Sequence, residues 1–315
     1  MQLLHNTGYI ILTGAAGLIG SNLLAALNKA GYNNIIIVDN LNHAAKNENL
    51  KHKKYVQYYH KNIFLQVLPT LTHITAIIHQ GACSSTTEAD VAYLNTNNVD
   101  YSKALLHYAI QHSIPYIYAS SAAVYGNGTL GFSDASNAYL PINGYAHSKL
   151  EFDKYVSTLL PTTTAPIIGF RYFNVYGHGE AHKLSMSSVV YKFYESYLHN
   201  KTIQLFQGSD AILRDFVIVH DVVTVNMHAL LHQLPSGIYN VGTGHAESFV
   251  AVANAFAQHY KDAVIEYIPF PTILKNKYQY YTQANISKLT AAGYTQPFSN
   301  VASGVAHYLT QLQHN

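Results

Sequence analysis

The chain has 315 residues, 49% of them apolar, and a formal net charge of +2, enough to bury a large core and long enough for two lobes. Charged residues make up 11% against about a quarter in an average soluble domain, and the short basic cluster from Lys51 to Lys54 reads as a solvated loop, so neither nucleic acid nor an anionic membrane surface is an expected partner. Cys83 is the single cysteine and the 19 histidines fall singly along the chain, which excludes an intramolecular disulfide, offers no metal-ligand spacing and points to a reducing, cytoplasmic compartment.

From Gly8 to Leu27 the chain carries no charge, the length of a membrane span. Glycines, Thr13, Ser21 and Asn22 inside the stretch, and the lack of a basic segment ahead of it, argue against both a span and a signal peptide. It reads instead as a strand, Tyr9 to Leu12, a turn Thr13-Gly14-Ala15-Ala16-Gly17-Leu18-Ile19-Gly20, and a helix opening at Ser21 with Leu23, Leu24 and Leu27 on one face. Glycines there let the backbone turn tightly and let a pyrophosphate approach the helix N-terminal amides. The spacing is Gly-x-x-Gly-x-x-Gly in place of the commoner Gly-x-Gly-x-x-Gly.

A second strand, Ile35 to Val38, ends at Asp39, the place for a carboxylate on an adenosine ribose, which favours NAD. Lys46 and Lys61 converging on that ribose would neutralise a 2′-phosphate, so these residues leave NAD and NADP both open. Strands follow near Tyr55 to Tyr59 and Ala76 to His79, the latter running into Gln80-Gly81-Ala82-Cys83-Ser84, a small-residue turn that a dinucleotide can lie against. Cys83 has no charged neighbour within two residues and reads as a packed residue rather than a nucleophile. A helix over Asn98 to His112 leads to strand Tyr116 to Ala119, which ends in Ser120 and Ser121, and a further strand spans Ile167 to Phe170. Hydroxyls at the carboxyl end of a parallel strand face the ligand crevice.

Tyr145 and Lys149 stand four apart, one helix face, where an ammonium can favour the ionised phenol and bring its pKa down from about 10. In a chain of 27 tyrosines the pair alone says little; the glycine turn and Ser121 give it weight as a general base. Beyond Tyr172 the β-α rhythm loosens, although Arg214 to Asp221 reads as another core strand returning to the first sheet. The expected fold is α/β, a Rossmann-type doubly wound parallel sheet over residues 1–174 with 214–244 returning to it, and a smaller α/β substrate-binding lobe over 175–315.

Together these motifs resemble the extended short-chain dehydrogenase/reductases that act on nucleotide sugars. Four longer runs narrow the likeness: Gly81-Ala82-Cys83-Ser84-Ser85-Thr86-Thr87-Glu88, Gly169-Phe170-Arg171-Tyr172-Phe173-Asn174-Val175-Tyr176-Gly177, Ala246-Glu247-Ser248-Phe249 and Glu266-Tyr267-Ile268-Pro269-Phe270-Pro271 are similar to those of the ADP-glyceromanno-heptose 6-epimerases. The resemblance implies a tightly bound NADP, ADP-heptose as substrate, a place in making the lipopolysaccharide inner core, and a homo-oligomer, typically a pentamer. It implies cofactor contacts at Leu18, Ile19, Asp39, Asn40, Lys46, Lys61, Gln80, Gly81, Ala82, Cys83, Ser84, Asn97, Lys149, Val175 and Lys183. Asn174, Ser185, Lys192, Phe206, Gln207, Gly208, Ser209, Arg214 and Tyr278 would line the substrate site, with Tyr145 and Lys183 as its acid/base groups. Gln80 stands where that family usually has glutamate, and Lys192 where it usually has histidine.

Inverting an unactivated carbinol needs hydride removal, because its C–H bond is too weakly acidic for a base. The expected roles are proton transfer by Tyr145 or Lys183, a hydrogen bond from Ser121 to the oxidised oxygen, and orientation of the nicotinamide ribose by Lys149. A dehydratase of this fold would carry an acidic pair where Ala122-Ala123 stands. A hexose 4-epimerase shares the first-lobe motifs, and a non-catalytic NADP-binding regulator would need neither Tyr145 nor Lys149.

Overall fold

The structure is a computed structural model in which residues 8–232, 234–272 and 279–313 are described. In chain order the first half holds β1 (Tyr9–Thr13), α1 (Leu18–Lys29), β2 (Ile35–Asp39), α2 (Ala44–Leu50), β3 (Gln57–His60), α3 (Lys61–Val67), β4 (Ile74–His79), α4 (Val91–Leu94), α5 (Tyr101–Gln111), β5 (Tyr116–Ser121), α6 (Gly144–Leu159) and β6 (Ile167–Tyr172). The second half holds β7 (Asn174–Tyr176), α7 (Val189–Asn200), β8 (Thr202–Phe206), β9 (Leu213–Arg214), β10 (Phe216–Ile218), α8 (Val219–His232), β11 (Gly237–Val241), β12 (Glu247–Ser248), α9 (Phe249–His259), β13 (Val264–Ile268), α10 (Ser287–Ala291) and α11 (Val301–Gln313).

β2 reads Ile-Ile-Ile-Val-Asp and is buried at every position, which requires helices over both faces of a parallel sheet. That sheet has seven strands in the order β11-β6-β5-β4-β1-β2-β3. On one face Leu23, Leu24 and Leu27 of α1 share a core with Val222, Val225 and Ala229 of α8; on the other, Leu105 and Leu106 of α5 meet Phe152 and Val156 of α6. The chain leaves β1 toward β2 and β3, then crosses back to β4 on the other flank. Strand order therefore reverses between β1 and β4, and a crevice opens at their carboxyl ends.

α1 begins at Leu18, three residues before the expected Ser21, because Gly17 takes the extended N-cap conformation, with φ −80° and ψ 177°. The expected helix from Asn98 instead opens with a π-helical turn over Asn95–Asp100 before α5. β3 starts two residues later than expected, at Gln57.

A separate core formed by Val190 and Phe193 of α7, Ile203 of β8, Val252 and Phe256 of α9 and Val305 of α11 builds the second half. The Arg214–Asp221 run departs from expectation. β10 pairs in parallel with β7 in a two-stranded sheet, and α8 already begins at Val219. The strand that rejoins the large sheet is β11, alongside β6. An apolar run of this length satisfies burial in either core, so local sequence does not choose its partner. No helix among the described residues is long and apolar enough to cross a membrane.

Candidate active site

The turn between β1 and α1 is built for close approach. Gly14 has φ +65°, and a Cβ on it would lie 2.6 Å from the carbonyl carbon of Gln80 and from the amide nitrogen of Gly81. A Cβ on Gly20 would lie 2.0 Å from the carbonyl oxygen of Gly14. No side chain caps α1 at Gly17, so its N-terminal amides face the crevice, where the helix dipole favours an anion. The turn is held from β2: Asp39 Oδ2 accepts the Ala16 amide at 2.8 Å, while Oδ1 accepts the Asn40 amide at 2.6 Å and pairs with Lys46 Nζ at 2.7 Å. Asp39, expected as a ribose ligand, is thus satisfied by donors of its own chain.

A buried relay fixes the neighbouring turn. Ser102 Oγ donates to the Asn98 carbonyl at 2.7 Å and so accepts from His79 Nε2 at 2.9 Å, leaving His79 Nδ1 to accept from Thr13 Oγ1 at 2.6 Å. The ring is neutral, since burial and the charge of Lys149 push its pKa down to about 3. Thr13 Oγ1 in turn accepts the Gly81 amide at 3.2 Å. Asn98, in the π turn, accepts from the Cys83 amide at 2.8 Å and donates to the Cys83 carbonyl at 3.0 Å and to Ser148 Oγ of α6 at 3.0 Å.

These elements enclose a cleft of about 630 Å³. Every sequence-expected cofactor residue lines it: Gly14, Gly17, Leu18, Ile19, Gly20, Asp39, Asn40, Lys46, Lys61, Gln80, Gly81, Ala82, Cys83, Ser84, Asn97, Lys149, Val175 and Lys183, together with Ser121, Tyr145 and Asn174. Lys61 Nζ donates to Asn97 Oδ1 at 2.5 Å and lies near the charges of Lys46 and Asp39. His182, Tyr93 and Tyr101 also line the cleft; of these, only His182 carried a legible signal, its place beside Lys183.

Tyr145 and Lys149 share the inner face of α6. Burial raises the Tyr145 phenol above its ordinary value, and the hydrogen bond with Ser121 opposes that. The expected depression by Lys149 is not the outcome. Lys149 Nζ donates to the Ala119 carbonyl at 2.8 Å, and burial pulls its own pKa down to about 8 although Asp153 acts the other way. Lys183, which lines the same cleft, is also pulled down by burial, with Glu180 opposing. Desolvation is what lets a lysine serve as a base.

A second cavity of about 530 Å³ opens between α7, β8 and β10. It shares Asn174, Val175, Lys183 and Met186 with the first. Of the expected substrate residues Asn174, Lys192, Phe206 and Ser209 line it. Gln207 and Gly208 lie in the turn between Phe206 and Ser209, with Gly208 at φ +82°. Ser185 is exposed on the Lys183 loop and Arg214 is buried in β9, and neither is among the residues that line the cavity. Tyr278 lies outside the described residues.

A doubly wound parallel sheet with a glycine turn at its switch point, facing a Tyr-x-x-x-Lys helix, defines an extended short-chain dehydrogenase/reductase fold. The chain belongs to the NAD dependent epimerase/dehydratase family, whose pattern it matches over residues 10–242. Among solved structures it is similar to the ADP-L-glycero-D-manno-heptose-6-epimerase of Helicobacter pylori, with a TM-score of 0.86, 28% identity and 100% of both chains covered. The UDP-N-acetylglucosamine 4-epimerase of Methanobrevibacter ruminantium shares the fold at a TM-score of 0.86, 22% identity and 99% of each chain. So does the UDP-glucose 4-epimerase of Thermotoga maritima, at 0.81 and 22%, over 97% of this chain and 99% of that one.

The glycine cradle fits a dinucleotide pyrophosphate, with no room for a Cβ at Gly14 or Gly20. Gly14→Ala is therefore expected to weaken dinucleotide binding at least tenfold, read by calorimetric titration; unchanged affinity would detach the turn from the cofactor. Lys149 yields a pH signature. Its folded-state pKa of about 8 lies below the ordinary 10.5, so between these values the unfolded chain holds more protons and stability rises with pH. The stability of wild type relative to Lys149→Met should climb from pH 8 toward 10.5, measured by denaturant unfolding. A flat difference would mean that Lys149 is not desolvated.

Proposed function

We propose that this chain is an isomerase inverting C6 of ADP-D-glycero-D-manno-heptose to the L-glycero form with bound NADP, in lipopolysaccharide inner-core synthesis. The observation that carries this reading is Lys183, which lines the wall common to both cavities while Tyr145 lines the first. Two acid/base groups facing one cleft suit an exocyclic centre, because rotation about C5–C6 presents the opposite face and moves the oxygen with it. Support also comes from the second-lobe sequence runs and from 28% identity over the full length of a heptose epimerase, where the 4-epimerases share the fold at 22%.

The dinucleotide supplies, when bound, the hydride acceptor and donor that an unactivated carbinol requires. One of Tyr145 and Lys183 takes the hydroxyl proton as the alcohol is oxidised, and after rotation the other gives a proton to the oxygen as the alcohol re-forms. Each turnover thus leaves one group with a proton gained and the other with a proton lost, which exchange with solvent resets. Ser121 steadies the phenol and the carbonyl oxygen. Lys149 would hold the nicotinamide ribose. Lys46 and Lys61, close to Asp39, would receive a 2′-phosphate, and this supports the reading of NADP over NAD. Ala122-Ala123 offers no acid to expel water, so the chemistry stops at epimerisation.

Incubation of the purified protein with ADP-D-glycero-D-manno-heptose and no added cofactor, resolved by chromatography, should yield the L-glycero epimer. No conversion, with NADP then added and still none, would move the activity to another nucleotide sugar. Tyr145→Phe should lose at least 100-fold in turnover, within the usual range of about 10²–10⁴ for a general acid/base, while retaining cofactor; near-normal turnover would remove Tyr145 from the reaction. Lys183→Met with unchanged epimerisation would leave Tyr145 as the sole acid/base group.

A further inference from the structure

The loop that carries Lys183 belongs to the second half of the chain, yet two side chains of the first half hold it. Asn49, at the end of α2 and 7% exposed, uses one amide nitrogen for two distant carbonyls: Ala16 of the glycine turn at 2.9 Å and Gly179 at 2.8 Å. The amide of that same Ala16 is already held by Asp39. Beside it, Asn22 of α1 donates to the His178 carbonyl at 2.6 Å. Gly179 sits at φ +96°, where a Cβ would meet Ser21 Oγ at 3.0 Å, so the loop backbone lies hard against α1.

Beyond these ties the loop closes on itself. The fully buried carboxylate of Glu180 accepts from the Gly177 amide at 3.1 Å and from Ser188 through its amide at 2.5 Å and its hydroxyl at 2.8 Å. Glu180 makes the loop a closed staple, and Asn49 and Asn22 fasten that staple to the dinucleotide turn. Leu184, next to Lys183, is held at φ 49° and ψ −121°, a conformation that persists only where the surroundings over-determine it.

We infer that Asn49 is a positioning residue that locks the Lys183 loop to the glycine turn, so that the place of Lys183 in the site is set by the same backbone that receives the pyrophosphate. The inference rests on Lys183 being an acid/base group as proposed above. Asn49 would touch neither sugar nor dinucleotide; it would act through Ala16 and Gly179.

Hydrogen exchange and a double-mutant cycle test this on the protein as purified. In Asn49→Leu, which keeps the branched shape and loses the donor, amide exchange over residues 177–188 should rise at least tenfold and epimerisation should fall at least tenfold. In a Lys183→Met background, adding Asn49→Leu should cost turnover little more, because the two changes remove one function. Asn22→Ala, a milder lesion on the half-buried face of α1, should raise exchange in the same segment and supplies the answer if Asn49→Leu does not fold. Unchanged exchange over 177–188 in the folded variant, or a full multiplicative loss in the Lys183→Met background, overturns the inference. Full turnover of Lys183→Met alone would overturn the assignment of Lys183, and exchange would still decide the role of Asn49.

Discussion

The buried ion pair between Asp153 and Arg171 is the constraint on which the Tyr145 and Lys149 face of the cleft depends. The two side chains are 1% and 2% exposed, with Nε and Oδ2 2.8 Å apart. Asp153 follows Tyr145 and Lys149 on the same face of α6 and accepts from Tyr118 at 3.0 Å and Ser120 at 2.8 Å, both on β5. Arg171, on β6, donates onward to Tyr125 at 2.9 Å and Tyr139 at 3.0 Å, and Tyr125 to Asn240 of β11 at 2.7 Å. One helix and three strands are thereby pinned at the sheet end that carries Ser121. A charge pair buried this deeply is tolerated only when each member is fully hydrogen-bonded, and losing one partner costs about 3–5 kcal/mol.

The same economy explains how a chain with 11% charged residues holds a polar interior together. Tyrosine hydroxyls take the places that ionic groups occupy elsewhere: Tyr116 reaches the Ser102 carbonyl, and Tyr172 exchanges hydrogen bonds with Asn226. Asparagines do the joining across long sequence distances, since an amide can donate and accept at once and leaves no charge to desolvate. His79 belongs to this group, a neutral connector in a polar relay.

Much of this was legible before any fold. The alternation of apolar runs and helical patterns implied the parallel sheet, and the glycine turn, Asp39, the Gln80–Ser84 turn and Tyr145 with Lys149 all face one cleft. What escaped has a common cause. Asn49 and Asn98 bind partners far away in sequence, so their roles exist only once the chain has folded. The partner of the Phe216–Ile218 run is likewise a tertiary choice between two available cores. Lys149 was read as a neighbour that acidifies Tyr145, but spacing along a helix conveys nothing about burial, and burial sets the direction of both shifts.

The position of β11 at one flank of the sheet has a consequence for synthesis. Strands β1 to β6 leave the ribosome in sequence, yet β6 waits for its outer neighbour until residues 237–241 have been made, after much of the second half. Until then its row of backbone donors and acceptors stands open, an edge of buried-type side chains with the pairing capacity that drives strand-to-strand association. The large sheet is thus completed only by a strand that arrives late, and the contiguous first 174 residues by themselves leave the β6 edge open.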